Sequence, residues 1–218
     1  MTITIQTYIP TANNEDKIFR LSCALDQDDR GRFENSVKQL VSNQDGFNEL
    51  HLLLIDKNIV GFLALKGSLP CNWINDITLE TVYVLISEPF RGQKLSHLLI
   101  GKYTQSISNW TISSLKTFNA ENHQELVFHL VISPVSKKGS VFQKKSVVAA
   151  YTWCTNNIQK MLNDKIINPH ENRFIIFDWG LGPNYFIFPK EGSIEKINRQ
   201  SALEIPGKKF FEIAQELN

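Results

Sequence analysis

The chain has 218 residues, 42% hydrophobic and 21% charged, enough for one globular domain with a sizeable buried core. A formal net charge of +1 gives no global reason to expect nucleic acid or an anionic membrane surface as partner. No run reaches the roughly 18 apolar residues of a membrane span, and the opening MTITIQTYIP lacks the basic-then-apolar order of a signal peptide. Cys23, Cys71 and Cys154 are widely separated and form no CxxC pair, which points to free thiols in a reducing, cytoplasmic setting.

Residues 2–8 alternate and predict a first strand, stopped by Pro10. Asn13 or Asn14 caps a helix carrying Ile18, Leu21, Cys23, Ala24 and Leu25. The charged stretch DQDDRGR reads as a solvated junction or a substrate-contacting loop, leading to a second helix with Phe33, Val37, Leu40 and Val41. Two apolar runs, Leu52–Asp56 and Ile59–Lys66, flank Lys57 and Asn58 and predict a hairpin with Asn58 in its turn.

The most informative stretch runs from Asp76 to Lys102. Ile77, Val82, Tyr83, Val84, Leu85 and Ile86 predict a largely buried strand, which Pro89 cannot continue because it lacks a backbone donor. After Arg91 and Gly92, the residues Leu95, Leu98, Leu99 and Tyr103 recur at helical spacing, so a helix starts near Gln93. A turn entering a helix directs free N–H groups outward at the positive end of the helix dipole, and Arg91 and Lys94 add two cations beside it. Strand, basic turn and helix make an anion-binding device; such units also occur with no ligand.

Beyond it, 109–125 is polar and weakly patterned, with a helix around Ser113–Phe118. Leu126–Ser133 is a strand ended by Pro134, and Val141 to Leu162 a helix through Val147, Val148, Tyr151, Cys154, Ile158, Met161 and Leu162. Arg173–Asp178 and Tyr185–Phe188 form a closing hairpin around a Gly-Pro turn. Residues 189–218 are more polar, with a short amphipathic helix at Phe210–Leu217. His51, His97, His123, His129 and His170 show no metal-ligand spacing, so no metal is expected. His129 reads either as a cleft residue or as a satisfied core histidine, and Trp73, Trp153 and Trp179 either as pocket walls or as core.

The run Ile86-Ser-Glu-Pro-Phe-Arg91-Gly92-Gln93-Lys94-Leu95-Ser96, followed by Leu98 and Leu99, resembles the acetyl-coenzyme A signature of the GNAT-type N-acetyltransferases. Lys94 and Ser96 stand where that family prefers small glycines, which allow close approach of the backbone to a pyrophosphate. The order strand, two helices, three-strand meander and helix is also similar to the opening of that fold.

The resemblance implies a single α/β (α+β) domain over residues 1–188, with a mixed, mostly antiparallel sheet of about seven strands and helices on both faces. Residues 189–218 would be an extension packing on the domain or on a second subunit. It implies acetyl transfer from acetyl-CoA to a primary amine by direct attack in a ternary complex, with neighbouring parallel strands 77–86 and 126–133 splayed around the cofactor. Val84, Leu85 and Ile86 would bond the pantetheine arm; Arg91, Gly92, Gln93, Lys94, Leu95 and Ser96 would hold the phosphates.

Glu80 is the candidate base. Even spacing would put it on one face with Val82, Val84 and Ile86, where apolar neighbours raise a carboxylate pKa; the bland alternative is an exposed Glu paired with a surface cation. Asp76, expected in the turn, is the weaker candidate. Tyr151 is the implied acid that reprotonates the thiolate, against the alternative of a core tyrosine. The contrasting reading is a non-catalytic relative that binds a protein or metabolite. An edge strand at 184–188 would offer a homodimer contact.

Overall fold

The computed structural model describes residues 2–71, 76–117, 125–132, 142, 145–146, 173–178, 183–188 and 195–198. β1 (Ile3–Tyr8) is followed by α1 (Glu15–Leu21), a 3₁₀ turn at Ser22–Ala24 and α2 (Gln27–Ser42). Then come β2 (Phe47–Ile55), β3 (Asn58–Gly67), β4 (Asp76–Ile86), a 3₁₀ turn at Glu88–Phe90, α3 (Ser96–Thr117) and β5 (Glu125–Ile132). β6 (Arg173–Asp178), β7 (Pro183–Phe188) and β8 (Glu195–Asn198) complete the described elements.

The strands lie in one sheet in chain order, β1 to β8. β4/β5 and β5/β6 are parallel and the other five pairings antiparallel. Eight strands stand against the expected seven or so, because the polar tail contributes β8. β8 also covers β7, so the strand expected at an edge is interior, and the edges of the described sheet are β1 and β8.

α1 and α2 pack on the face that carries Leu50, Leu52, Leu54, Phe62, Ala64 and Leu85, burying Ile18, Phe33, Val37 and Leu40 against them. Phe33 meets Phe62 edge-on at 5.2 Å between centroids, and Phe62 stacks on Tyr83 at 5.9 Å, so aromatic contact runs from α2 across β3 to β4. The alternate residues of β2, Glu49 and His51, face Ser106 and Asn109 of α3. Trp110 of α3 is fully buried and donates from Nε1 to the Ser68 carbonyl at 2.7 Å.

Local departures from the sequence expectations have plain causes. DQDDRGR is no separate junction: Asp26 caps α2 by accepting the Asp29 amide at 2.9 Å, so the charged residues form the first turns of that helix. Asn14 stands at the N-cap position of α1 without capping it. Its amide group instead bonds Thr11 N and Ile9 O, fixing the turn before the helix. The β2–β3 turn uses Asp56 and Lys57, both at positive φ (47° and 70°), and Asn58 opens β3. α3 starts at Ser96, later than expected, and runs through the polar stretch to Thr117, where buried Tyr103, Ile107 and Trp110 keep helical spacing. Asp76 opens β4 rather than lying in a turn. The helix expected over Val141–Leu162 lies outside the described residues apart from Phe142, Lys145 and Ser146, which are helical, and so does Phe210–Leu217.

Candidate cofactor cleft and loop

β4 carries the geometry on which the site is built. Its pairing to β5 begins at Asp76↔Val127 and ends at Thr81↔Ile132, while β4 itself continues to Ile86. On its other edge the ladder to β3 slips at the same height: Leu65 opposes Thr81 and Ala64 opposes Tyr83, leaving Val82 as a bulge. A bulge bends and twists the strand that carries it. Residues 82–86 therefore hold to β3 alone among the described residues, Val84 opposite Leu63, Leu85 opposite Phe62 and Ile86 opposite Gly61. Gly61 is required here, since a Cβ on it would come within 2.6 Å of the Leu85 carbonyl.

Beyond Ile86 the chain turns at Glu88–Phe90 and enters the loop. Gly92 (φ 86°) and Lys94 (φ 60°) are both left-handed. Lys94 thus holds the conformation that a glycine would adopt freely, and does so fully on the surface. Leu95 is buried and pins the loop to the body. Helical bonding resumes only at His97, whose N–H donates to Lys94 O, and Leu98, whose N–H donates to Leu95 O. The amides of Lys94, Leu95 and Ser96 have no acceptor among the described residues, as the first turn of a helix leaves them. Arg91 folds back, donating from Nε to the Ile86 carbonyl at 2.9 Å, and Gln93 donates to Pro89 O at 3.4 Å. Lys145 adds a further cation at this helix end, 3.0 Å from Nε2 of His97.

The bulge changes the position expected for Glu80. It opposes Lys66, on the face that also carries Tyr83 and Leu85; Val84 and Ile86 face the other way. The even spacing is interrupted by one extra residue, which no periodicity reveals. Glu80 is not enclosed by apolar side chains. It pairs with Lys66 at 3.1 Å and its side chain is 42% exposed. Across the parallel pair it registers with Val131, itself 39% exposed, and Thr78 registers with His129 on the same face. The open floor beside the cleft is thus made of Glu80, Val131 and half-buried His129. Tyr151, Trp73, Trp153 and Trp179 lie outside the described residues, as do His123 and His170.

Two polar groupings escaped the sequence reading. Asp29 is buried at the start of α2, 3.4 Å from Arg32 Nη1. Burial, and next the Asp26 carboxylate, raise its pKa above the usual aspartate value, while Ser87, Arg32 and Arg91 pull it down less strongly. The capping spacing Asp26-x-x-Asp29 was its one local signal.

The second grouping joins β2 to α3. Ser106 Oγ hydrogen-bonds both His51 Nε2, at 2.7 Å, and Glu49 Oε2, while Asn109 Nδ2 donates to Glu49 Oε1 at 3.1 Å. Burial alone would push the Glu49 pKa up; hydrogen bonds from His51, Ser106 and Asn109 outweigh it and hold the carboxyl below its ordinary value. Serine, histidine and glutamate here are not a nucleophilic triad. Ser106 is fully buried and its hydroxyl is spent on the carboxylate, so no substrate carbonyl can reach it. The alternation of Glu49 and His51 on a strand was its only trace.

Among the described residues no three His, Cys, Asp or Glu are placed to hold a metal ion, and no helix is long and apolar enough to cross a membrane. Cys23 and Cys71 are free and exposed.

No family model matches the sequence, and no curated protein matches it. Solved structures similar to the chain include acetyltransferases. A ribosomal-protein-alanine N-acetyltransferase from Brucella melitensis biovar Abortus 2308 is 15% identical, with 64% of this chain and 86% of that one covered at a TM-score of 0.38. An aminoglycoside acetyltransferase from an uncultured soil metagenomic sample is 13% identical over 63% of this chain and 84% of that one, TM-score 0.39. AAC(6')-Iy, in complex with a CoA bisubstrate analogue, is 12% identical over 67% and 90%, TM-score 0.36.

Proposed function

We propose that the chain is an acetyl-CoA-dependent N-acetyltransferase of the GNAT type, moving an acetyl group to a primary amine of a small molecule or protein. The observation that carries this reading is a coincidence on β4. Among the described residues the strand pairs in parallel with β5 only as far as Thr81, bulges at Val82, and ends at a basic loop with two left-handed residues and three amides without an acceptor. That combination suits a thioester with a pantetheine arm and a pyrophosphate. Nothing lies within 4 Å of a Cβ built on Gly92, so the backbone there is open to a phosphate. Val84, Leu85 and Ile86 would bond the arm as an added strand would, and Arg91, Gly92, Gln93, Lys94, Leu95 and Ser96 would hold the phosphates.

Acetyl-CoA supplies the activated acetyl group; the chain's residues manage protons and placement. The acceptor is an ammonium at neutral pH and must lose a proton before its nitrogen can attack. Glu80, on the open floor, takes that proton directly or through a water. The new C–N bond forms as the C–S bond breaks, Tyr151 gives a proton to the leaving sulfur, and the second nitrogen proton passes to the tyrosinate so formed, leaving the neutral amide, the free thiol and the one proton held by Glu80. This is direct transfer in a ternary complex in the cytoplasm, and as drawn it needs no metal.

One observation favours a second reading, a non-catalytic domain that binds a protein or metabolite: Lys66 already engages the carboxylate assigned as base. Release of free thiol from acetyl-CoA across a panel of primary amines separates the two. Amine-dependent release, lost in Glu80→Gln, supports the enzyme. Binding of acetyl-CoA without release for any amine supports the second reading.

A further inference from the structure

We infer that the β1 edge of the sheet docks a second copy of this chain, the two β1 strands pairing antiparallel about a two-fold axis at Ile5. The inference does not depend on the acetyltransferase reading.

The backbone groups of β1 divide between its partner strand and an open edge. Asp56 N–H donates to Thr2 O at 3.0 Å, one step beyond Ile3↔Ile55 in the β1–β2 register. Opposed residues of an antiparallel ladder alternate between hydrogen-bonded and non-bonded pairs. Thr4, Gln6 and Tyr8 therefore spend their N–H and C=O groups on Leu54, Leu52 and Leu50. The hairpin agrees: its two-residue turn at Asp56 and Lys57 closes on Ile55↔Asn58, which leaves the backbone of Leu54 for β1. Ile3, Ile5 and Thr7 direct their backbone groups outward, and among the described residues no strand meets them.

The composition of this edge selects a second copy as its occupant. Sheet edges are ordinarily blunted by charge, proline or shortness. β8, the other edge of the described sheet, has four residues and includes Glu195 and Lys196. β1 has six, and no Lys, Arg, His, Asp or Glu stands between Thr2 and Asn14, so a foreign strand finds no charge there to read. A β1–β1 pair is closed, whereas β1 on the β8 of a next copy would propagate without end. An axis at Ile5 sets Ile5 against Ile5, Ile3 against Thr7 and Thr4 against Gln6, with open donors facing open acceptors and no like charges opposed. It covers Ile3, 40% exposed, on the face where Thr7 Oγ1 meets His51 Nδ1 at 2.9 Å. A formal charge of +1 gives the copies little mutual repulsion. One strand pair is a small interface, so the dimer dissociates in the micromolar range.

The test is sedimentation equilibrium of the full chain over a dilution series, with amide hydrogen exchange followed by NMR at both ends of the series. We expect twice the chain mass at high concentration and the chain mass on dilution. The Ile3, Ile5 and Thr7 amides should exchange at least about tenfold more slowly in the dimer, while those of Thr4, Gln6 and Tyr8 stay unchanged. Ile5→Lys and Ile5→Glu should each raise the dissociation constant at least about tenfold, because like charges then meet across the axis. Mixing the two variants should restore the dimer, Lys against Glu. A monomer at near-millimolar concentration overturns the inference, as does a dimer that leaves the Ile3, Ile5 and Thr7 amides unprotected. So does a dimer that both variants retain, a mixture that stays monomeric, or a mass that grows beyond two chains. If a variant fails to fold, the wild-type mass and exchange pattern decide the question by themselves.

Discussion

Lys94→Gly is the most informative single change, because it separates backbone from charge. Lys94 sits at φ 60°, and among the described residues no side-chain hydrogen bond ties it to the body. A non-glycine residue in the left-handed region costs roughly 1–2 kcal/mol. Glycine's extra freedom in the unfolded chain takes back about 0.5–1 kcal/mol, leaving a net gain of about 0.5–1 kcal/mol. For a chain of this length that raises the unfolding temperature by about 1–4 °C. Lys94→Ala keeps the strain and loses the cation, so it serves as the control. Both variants should bind acetyl-CoA roughly two- to fivefold more weakly, the scale of an exposed charge on a phosphate. Differential scanning calorimetry and acetyl-CoA titration on wild type and the two variants read both effects. If Lys94→Gly melts below Lys94→Ala, the residue carries no such strain and the reasoning fails. If neither variant loses affinity, the lysine is no part of a phosphate site.

Glu80→Gln should lower kcat by about 10²-fold or more at pH 7 while leaving the acetyl-CoA dissociation constant unchanged, as removal of a general base does. Parallel losses in rate and affinity would assign it a structural role. Glu49, held below its ordinary value of 4.5, contributes stability that is full above that pH and is lost as pH falls through its folded pKa. Urea unfolding at pH 7 and pH 3 should accordingly show the gap between wild type and Glu49→Gln narrowing in acid; a constant gap would contradict it. Phe33→Ala, which empties the contact with Phe62 in the fully buried core between α2 and β3, should cost about 3–5 kcal/mol in the same assay.

Much of the scaffold could be read from periodicity. β1, β3 and β4 follow from alternation and β-branched runs, and Pro89 marks where β4 must give way to the loop. The turn between β4 and α3 was legible because Leu95, Leu98, Leu99 and Tyr103 take up helical spacing after Arg91 and Gly92. The bulge at Val82 was not, since one extra residue flips every later side chain without altering composition, and it moved Glu80 away from Val84 and Ile86. α3 reached further than expected because tertiary burial of Tyr103, Ile107 and Trp110 overrides weak intrinsic propensity in a Ser- and Thr-rich stretch. The Glu49–His51–Ser106 network was hidden for another reason. Its partners on α3 lie 55–60 residues away in sequence from those on β2, and only the packing of α3 on the sheet brings them together.

The measurement closest to the central claim is calorimetric titration of the full chain with acetyl-CoA, repeated with Arg91→Ala. We predict micromolar binding that the substitution weakens on the order of tenfold. Absence of binding, or binding indifferent to Arg91, would contradict the assignment of the β4–α3 loop as the cofactor site.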